Sequence, residues 1–147
     1  MNNDLQKEFL KWLVIKKPDM VMEAVFGKQA ESKYKTGDVM EDGYIYVGFI
    51  STDKERYHLA INTRAEGEFT WKSAMDKFGD SVPTSRELSM VFAQGLLKES
   101  NVYHWSSREY NNTNAYIQRF SDGIQTTRYK NITYLVRCVR RFGYEKI

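Results

Sequence analysis

Four short runs of aromatic and β-branched residues fill the last third of the chain: VYHWSS (102–107), AYIQRF (115–120), GIQTTR (123–128) and YLVRCVRRF (134–142). Such side chains suit a pleated, half-buried surface. Between the second and third runs, Asp122-Gly123 offers the positive φ that a tight hairpin turn demands. A chain with this ending has to build antiparallel sheet, and the four runs predict a meander. Upstream, YIYVGFI (44–50) and RYHLAI (56–61) predict two more strands, joined through the polar STDKE. Between these regions the apolar period becomes helical. In TWKSAMDKF, Thr70 is a natural cap, with Trp71, Ala74, Met75 and Phe78 on one side. In PTSRELSMVFAQGLL, Thr84 and Glu87 form a T-x-x-E capping box ahead of Leu88, Val91 and Phe92. The fold class is therefore α+β.

The first 36 residues read differently. Residues 3–17 predict an amphipathic helix capped by Asn3, with Leu5, Phe9, Trp12 and Leu13 at helical spacing. Pro18 closes it and suits the first turn of a second short helix ended by Gly27, and KQAESKYKTGD (28–38) reads as a linker. Residues 1–36 are thus a helical segment with its linker, and residues 37–147 form the main domain. The face of Leu5, Phe9, Trp12 and Leu13 offers self-association as a homo-oligomer or attachment to a larger assembly.

With 147 residues, one domain of this size buries roughly 70% of its extended-chain surface. The single Cys138 rules out an internal disulfide, so packing alone must hold the fold. His58 and His104 stand far apart without thiol companions, so neither a metal nor a cofactor is expected. MNNDLQKEFLKWLVIKK is not expected to be a signal peptide, because its apolar run is short, is interrupted by Lys11 and lacks a small-residue cleavage site. No stretch approaches the ~20 apolar residues of a membrane span, so no membrane role is expected. The net charge of +3 is uneven. Residues 37–112 carry 8 basic and 12 acidic side chains, and residues 113–147 carry 7 and 2. A basic ending could face nucleic acid or an acidic protein, or its arginines could be solvated and paired internally; the second is favoured.

Five stretches stand out together and in order: GDVMEDGYIYVG, VPTSREL, WSS, RFSDG and VRCVR. Over residues 37–141 the chain resembles the DUF1566 family, also seen as the C-terminal domain of Lcl-type adhesins and frequent in phages and bacteria. Its members carry a G-x-x-MPDG-x-x-YAG opening, VPT-x-x-EL, YWSS, RFSDG and a closing LRCVR. The resemblance implies a C-type-lectin-like domain, with two helices packed on a small twisted antiparallel sheet and a loop region presenting variable side chains. Related folds serve in adhesins, phage receptor-binding proteins and the variable proteins of diversity-generating retroelements, which bind proteins or sugars and do no chemistry. The chain departs from the pattern at GDS, where the family has DWR before VPT, and in a short connection from the PTSREL helix to WSS. Residues 1–36 have no counterpart in the family.

Several residues acquire expected roles. Trp105 should fill the seam between helix and sheet, while Ser106 and Ser107 satisfy backbone groups where the strand leaves its ladder. Arg137 and Arg140 sit in an apolar strand and need partners. Glu87 and Asp122 are the expected ones, forming a carboxylate–arginine clasp from the helix start to the last strand. Cys138 is expected to be a small core residue. In REYNNTNAY, Arg108, Tyr110, Asn111, Asn112, Asn114 and Tyr116 combine large contact area with adaptable hydrogen bonding, as recognition surfaces do. Arg128, Tyr129 and Lys130 from RYKNITY are expected alongside them.

Formylglycine-generating oxidases share the general fold implied here, but they need a pair of cysteines. Calcium-dependent lectins of this kind use EPN/QPD-like and WND tripeptides, which the sequence lacks. It also lacks G-x-S-x-G and a phosphate-cradling glycine loop. The expectation is a non-enzymatic, phage-encoded binding protein that recognises a protein, or less favourably a glycan, as a virion- or tail-associated accessory. An intracellular effector that blocks a host defence protein is the alternative, and nucleic-acid binding through the basic last third is a second one. The expected location is accordingly the host cytoplasm or the virion.

Overall fold

The computed structural model describes residues 33–143. The amphipathic helices expected before Gly27, with Leu5, Phe9, Trp12 and Leu13, lie outside the described residues. The elements in chain order are β1 (Tyr44–Ser51), β2 (Arg56–Asn62), β3 (Gly67–Phe69), α1 (Trp71–Phe78), α2 (Ser85–Ala93), β4 (Tyr103–Glu109), β5 (Asn114–Arg119), β6 (Gln125–Tyr129), β7 (Tyr134–Val136) and β8 (Val139–Gly143), with a 3-10 turn at Gly79–Ser81 between the helices. The architecture is mixed α+β, two helices and two sheets, and mostly strands. One sheet has the order β1-β2-β8, the other β3-β7-β4-β5-β6.

Both helices begin where their caps predict. The Thr70 side chain accepts the Ser73 N–H. At α2, Thr84 Oγ1 accepts the Glu87 N–H at 3.1 Å, and Glu87 Oε1 accepts the Thr84 N–H at 2.8 Å. This reciprocal pair satisfies two of the donors a helix start would otherwise leave unbonded.

The last third is not a simple meander. β4, β5 and β6 do run antiparallel in order, but β7 lies on the far side of β4 and parallel to it. The run read as one strand, YLVRCVRRF, is two. Tyr134–Val136 pairs with β3 in the second sheet, and Val139–Gly143 pairs with β2 in the first. The break falls at Arg137-Cys138. There the Arg137 guanidinium bonds the Asn62 and Thr63 carbonyls, and the Asn62 N–H donates to the Cys138 carbonyl. Backbone groups that leave one ladder are thus re-bonded before the next begins.

Each helix closes one core. α2 lies against the first sheet, burying Leu88 and Val91 among Val47, Leu59, Ile61, Phe120 and Val139. α1 lies against the second, where Ala74 and Val82 meet Trp105, Ala115, Ile117 and Val136. Trp105 has no exposed surface, donates Nε1–H to the Phe69 carbonyl at 2.8 Å and meets Tyr134 edge-on, so it is the seam residue its setting predicted. Cys138 is buried, and burial pushes its thiol up to about 11. It is a core residue and no ready nucleophile.

The clasp expected of Arg137 and Arg140 forms with different partners. Fully buried Glu87 takes a forked pair from Arg141, Nε to Oε2 at 2.6 Å and Nη2 to Oε1 at 2.7 Å, and the Tyr57 hydroxyl at 2.8 Å. Arg140 instead pairs with Asp42 and lies over the Tyr44 and Phe142 rings. Asp122 pairs with Arg119 inside its own turn, at 2.6 Å. The reason is strand alternation: Arg141 shares the face of Val139, which looks toward α2, and Arg140 points the other way.

Phe92, expected on the core face of α2, is 38% exposed. Its ring covers Gly123, whose φ is 76°, and a Cβ there would stand 2.5 Å from the ring. Gly123→Ala therefore meets both a strained backbone and a steric clash. We expect it to lower the unfolding free energy by about 2 kcal/mol, read as a lower urea midpoint at unchanged slope.

Candidate functional site

The asparagine-rich stretch is the β4–β5 hairpin end. The N–H groups of Tyr110 and Asn111 both donate to the Asn114 carbonyl. Asn111 Oδ1 accepts from the Thr113 and Asn114 N–H groups at 3.0 and 2.8 Å, and Asn114 Oδ1 accepts the Thr113 hydroxyl at 2.7 Å. Two of the expected contact amides therefore spend their carbonyl oxygens on holding the turn. Asn112 is exposed, and its backbone carbonyl accepts Lys130 Nζ at 3.1 Å.

On the approach to this turn β4 bulges. Trp105 pairs with Ile117 and Glu109 with Ala115, so Ser106, Ser107 and Arg108 stand opposite Tyr116 alone. Ser106 stitches the bulge, donating to the Tyr116 carbonyl at 2.9 Å and accepting the Arg108 N–H at 3.2 Å. Ser107 donates its N–H to the Pro83 carbonyl. Bulges of this kind re-aim side chains. Here the Arg108 guanidinium comes to lie over the Tyr116 ring, 4.6 Å from its centroid, and Tyr110 meets the same ring edge-on at 5.7 Å.

Strand register sorts the remaining residues. Asn114 faces Tyr129 and Tyr116 faces Thr127, and directly opposed residues of an antiparallel pair share a face. Arg108, Tyr110, Asn114, Tyr116 and Tyr129 thus belong to one side of the sheet, with Tyr110 58% and Tyr129 62% exposed. Arg128 and Lys130 do not join them. Arg128 stands opposite Ala115, on the α1 side, and its Nη1 bonds Thr126 and Thr127 of its own strand. Lys130 Nζ pairs with Glu109 at 2.7 Å and lies over the Trp71 ring of α1. Of the nine expected residues five share one face and two lie on the other, while Asn111 and Asn112 sit in the turn between β4 and β5.

The tyrosine face runs into a cleft of about 520 Å³ lined by Glu55, Tyr57, Arg86, Ser89, Ser107 and Arg108 among others. Gln118 joins the two regions, accepting from Ser89 Oγ at 3.2 Å and lying beside Gln125, which also lines the cleft. A second cleft of about 670 Å³ adjoins it across Tyr57, Thr84 and Ser107. The residues brought together here come from β2, α2, β4, β6 and their flanks; Thr84, Ser107 and Arg108 belong to stretches the sequence marks, but nothing local says that they meet in one cleft. Arg86 carries a further signal that the sequence reading missed. It is a cation in the first turn of a helix, where the backbone dipole disfavours one.

The buried polar groups elsewhere serve packing. The Tyr46 hydroxyl and His58 Nδ1 lie 2.6 Å apart. His104 Nε2 accepts Arg137 Nε–H at 3.1 Å, which places the ring proton on Nδ1. Burial, then the Arg137 charge, pushes His104 down to about 3.

The basic last third is largely engaged within the chain. Arg119, Lys130, Arg140 and Arg141 are ion-paired, Arg137 bonds carbonyls and His104, and Arg128 bonds its own strand. Among the described residues no three His, Cys, Asp or Glu side chains converge to hold a metal ion, and no helix is long and apolar enough to cross a membrane. No protein-family model matches the chain, and no curated protein matches it significantly.

Proposed function

We propose that this chain is a non-enzymatic recognition domain of the C-type-lectin-like, DUF1566-like kind, phage-encoded, which holds a protein partner on its tyrosine face as a virion- or tail-associated accessory. The observation that carries this is the pairing of a rigid support with exposed aromatic area. Tyr110 and Tyr129 are more than half exposed, while the turn between β4 and β5 is held by its own asparagine and threonine bonds. Rigid aromatic contacts lose little conformational freedom on binding, which is what makes such side chains effective at interfaces. Two helices beside two mainly antiparallel sheets, with a bulge in β4, are compatible with the lectin-like arrangement that the sequence motifs imply.

A protein is favoured over a glycan by the arrangement at Tyr116. Arg108 lies over one face of its ring and Tyr110 meets its edge, which suits interlocking side chains better than flat stacking of a sugar. The test is capture from a bacterial host lysate with the wild-type chain and with Tyr110→Ala/Asn112→Ala/Tyr116→Ala. All three positions are exposed or half-exposed, so the variant is expected to remain folded. The bound partner should fall by at least roughly tenfold, since truncated hot-spot aromatics cost ~2 kcal/mol or more. Undiminished capture by the folded variant would discard the assignment.

A further inference from the structure

We propose that the cleft beside the tyrosine face receives an acidic side chain of the protein partner, seated between Arg86 and Arg108. This rests on the recognition role just given and adds the chemistry of what is recognised.

The argument starts from charge. Arg86 and Arg108 both line the cleft, both are exposed, and neither has a carboxylate partner among the described residues. Most other arginines of the second sheet and of β8 are spent within the chain. Arg56 and Arg64 also lack a carboxylate partner among the described residues, but Arg86 and Arg108 are the two arginines that share this cleft. Arg86 is also set against the positive end of α2, a nine-residue helix, where a cation opposes the backbone dipole. Of the hydroxyls in the lining, those of Tyr57, Ser85 and Ser89 donate to Glu87, Ser106 and Gln118, which leaves Thr84 and Ser107 to donate beside the guanidinia. A carboxylate placed here would find forked donors together with neutral donors to fill its remaining lone pairs. Glu55, at the tip of the β1–β2 hairpin, is the carboxylate of the lining, and it bonds neither arginine.

The geometry around Arg108 links cleft and face. Its guanidinium is held over Tyr116, so the residue that would clamp the acid is fixed by the recognition surface itself. Pre-fixed guanidinia lose less freedom when they bind. An acidic protein segment fits this site better than a nucleic acid. A phosphate backbone needs a track of cations, and Arg128, Lys130, Arg137, Arg140 and Arg141, which could extend one, are engaged within the chain.

The test uses a labelled peptide with interspersed glutamates, its glutamine counterpart and a single-stranded oligonucleotide, each titrated into the full chain by NMR. The glutamate peptide should move the Arg86 and Arg108 side-chain Nε–H resonances, and the glutamine peptide should not. Arg86→Gln/Arg108→Gln should weaken glutamate-peptide binding by roughly tenfold or more, and Arg128→Gln, on the opposite face, should leave it unchanged. Equal binding of the two peptides, equal loss in Arg128→Gln, or tighter binding of the oligonucleotide through the same arginines would overturn the proposal. Peptide binding does not depend on Tyr110 or Tyr129, which separates the two claims. If the lysate partner is lost on tyrosine substitution but retained by Arg86→Gln/Arg108→Gln, the acidic-side-chain proposal fails alone. If the peptide seats as described while the tyrosine substitutions leave the partner bound, the tyrosine face fails alone.

Discussion

Glu87→Ala is expected to lower the unfolding free energy by about 3–5 kcal/mol, the scale at which breaking a buried charge pair is felt. Glu87 has no exposed surface and its carboxylate has four donors: Arg141 twice, the Tyr57 hydroxyl and the Thr84 N–H. Burial penalises its charge, but the hydrogen bonds from Arg141 and the Thr84 backbone, with the Arg141 charge, outweigh that and hold its pKa below the ordinary value. Alanine removes the acceptor for all four donors and leaves a void beneath α2. Thr84→Ala, which takes away only the side-chain half of the cap, should cost about 1 kcal/mol. The gap between the two variants measures the clasp apart from the cap. Arg141→Ala should match Glu87→Ala, because it leaves the carboxylate buried without its cation. Urea midpoints at neutral pH read all three. If Glu87→Ala or a charge reversal there unfolds where the wild type does, the clasp does not hold α2 to β8.

That clasp marks where the sequence was readable and where it stopped. A buried acid at the start of α2 and an arginine in the closing strand could be paired on chemistry alone, because uncompensated charge is too costly to bury. Which arginine required the strand's phase. Val139 faces α2, so the next residue on its side is Arg141, and this becomes visible once β8 is known to pair with β2 through Ala60 and Arg140. Long-range pairing also hid the split of YLVRCVRRF, since nothing local says that residues on either side of Arg137 belong to different sheets. Local signals did better. Both helix caps, the Gly123 turn and the scaffold role of Trp105 stand as their residue types suggested, for each depends on neighbours a few positions away or on simple burial. The candidate site was half legible. Tyrosines and asparagines announced an adaptable surface, but the asparagines turned out partly committed to their own turn. Arg128 and Lys130 fell on the other face because one residue of register reverses a side chain's direction. The cleft with Arg86 was out of reach, since four separate elements must fold before it exists.

Acid should weaken this fold well before its carboxylates titrate, and His104 is the reason. The ring is fully buried and accepts a hydrogen bond from Arg137, so a second proton would place an imidazolium against a guanidinium in a buried site. Burial first and the Arg137 charge second hold its pKa at about 3, against an ordinary value of 6.5. A depressed folded value means the unfolded chain binds a proton that the folded one refuses. The stabilising difference is complete above pH 6.5 and is lost progressively as pH falls toward 3, with a limiting slope of about 1.4 kcal/mol per pH unit. By pH 5 the loss should reach roughly 2 kcal/mol. The Glu87 contribution is lost only at lower pH, as the unfolded chain takes up its proton near the ordinary value of 4.5 and the folded carboxylate, held lower, does not. The window from pH 7 to 5 therefore lies above the carboxylates, and comparison with a His104 variant separates this ring from His58, which is also fully buried. His104→Gln keeps an acceptor for Arg137 and removes the titrating ring. It should be less stable than wild type at pH 7 yet show a flatter profile, so that the two curves converge as pH falls. Parallel curves over that window would mean that His104 takes up its proton in the folded state, and that the Arg137 contact tolerates the added charge.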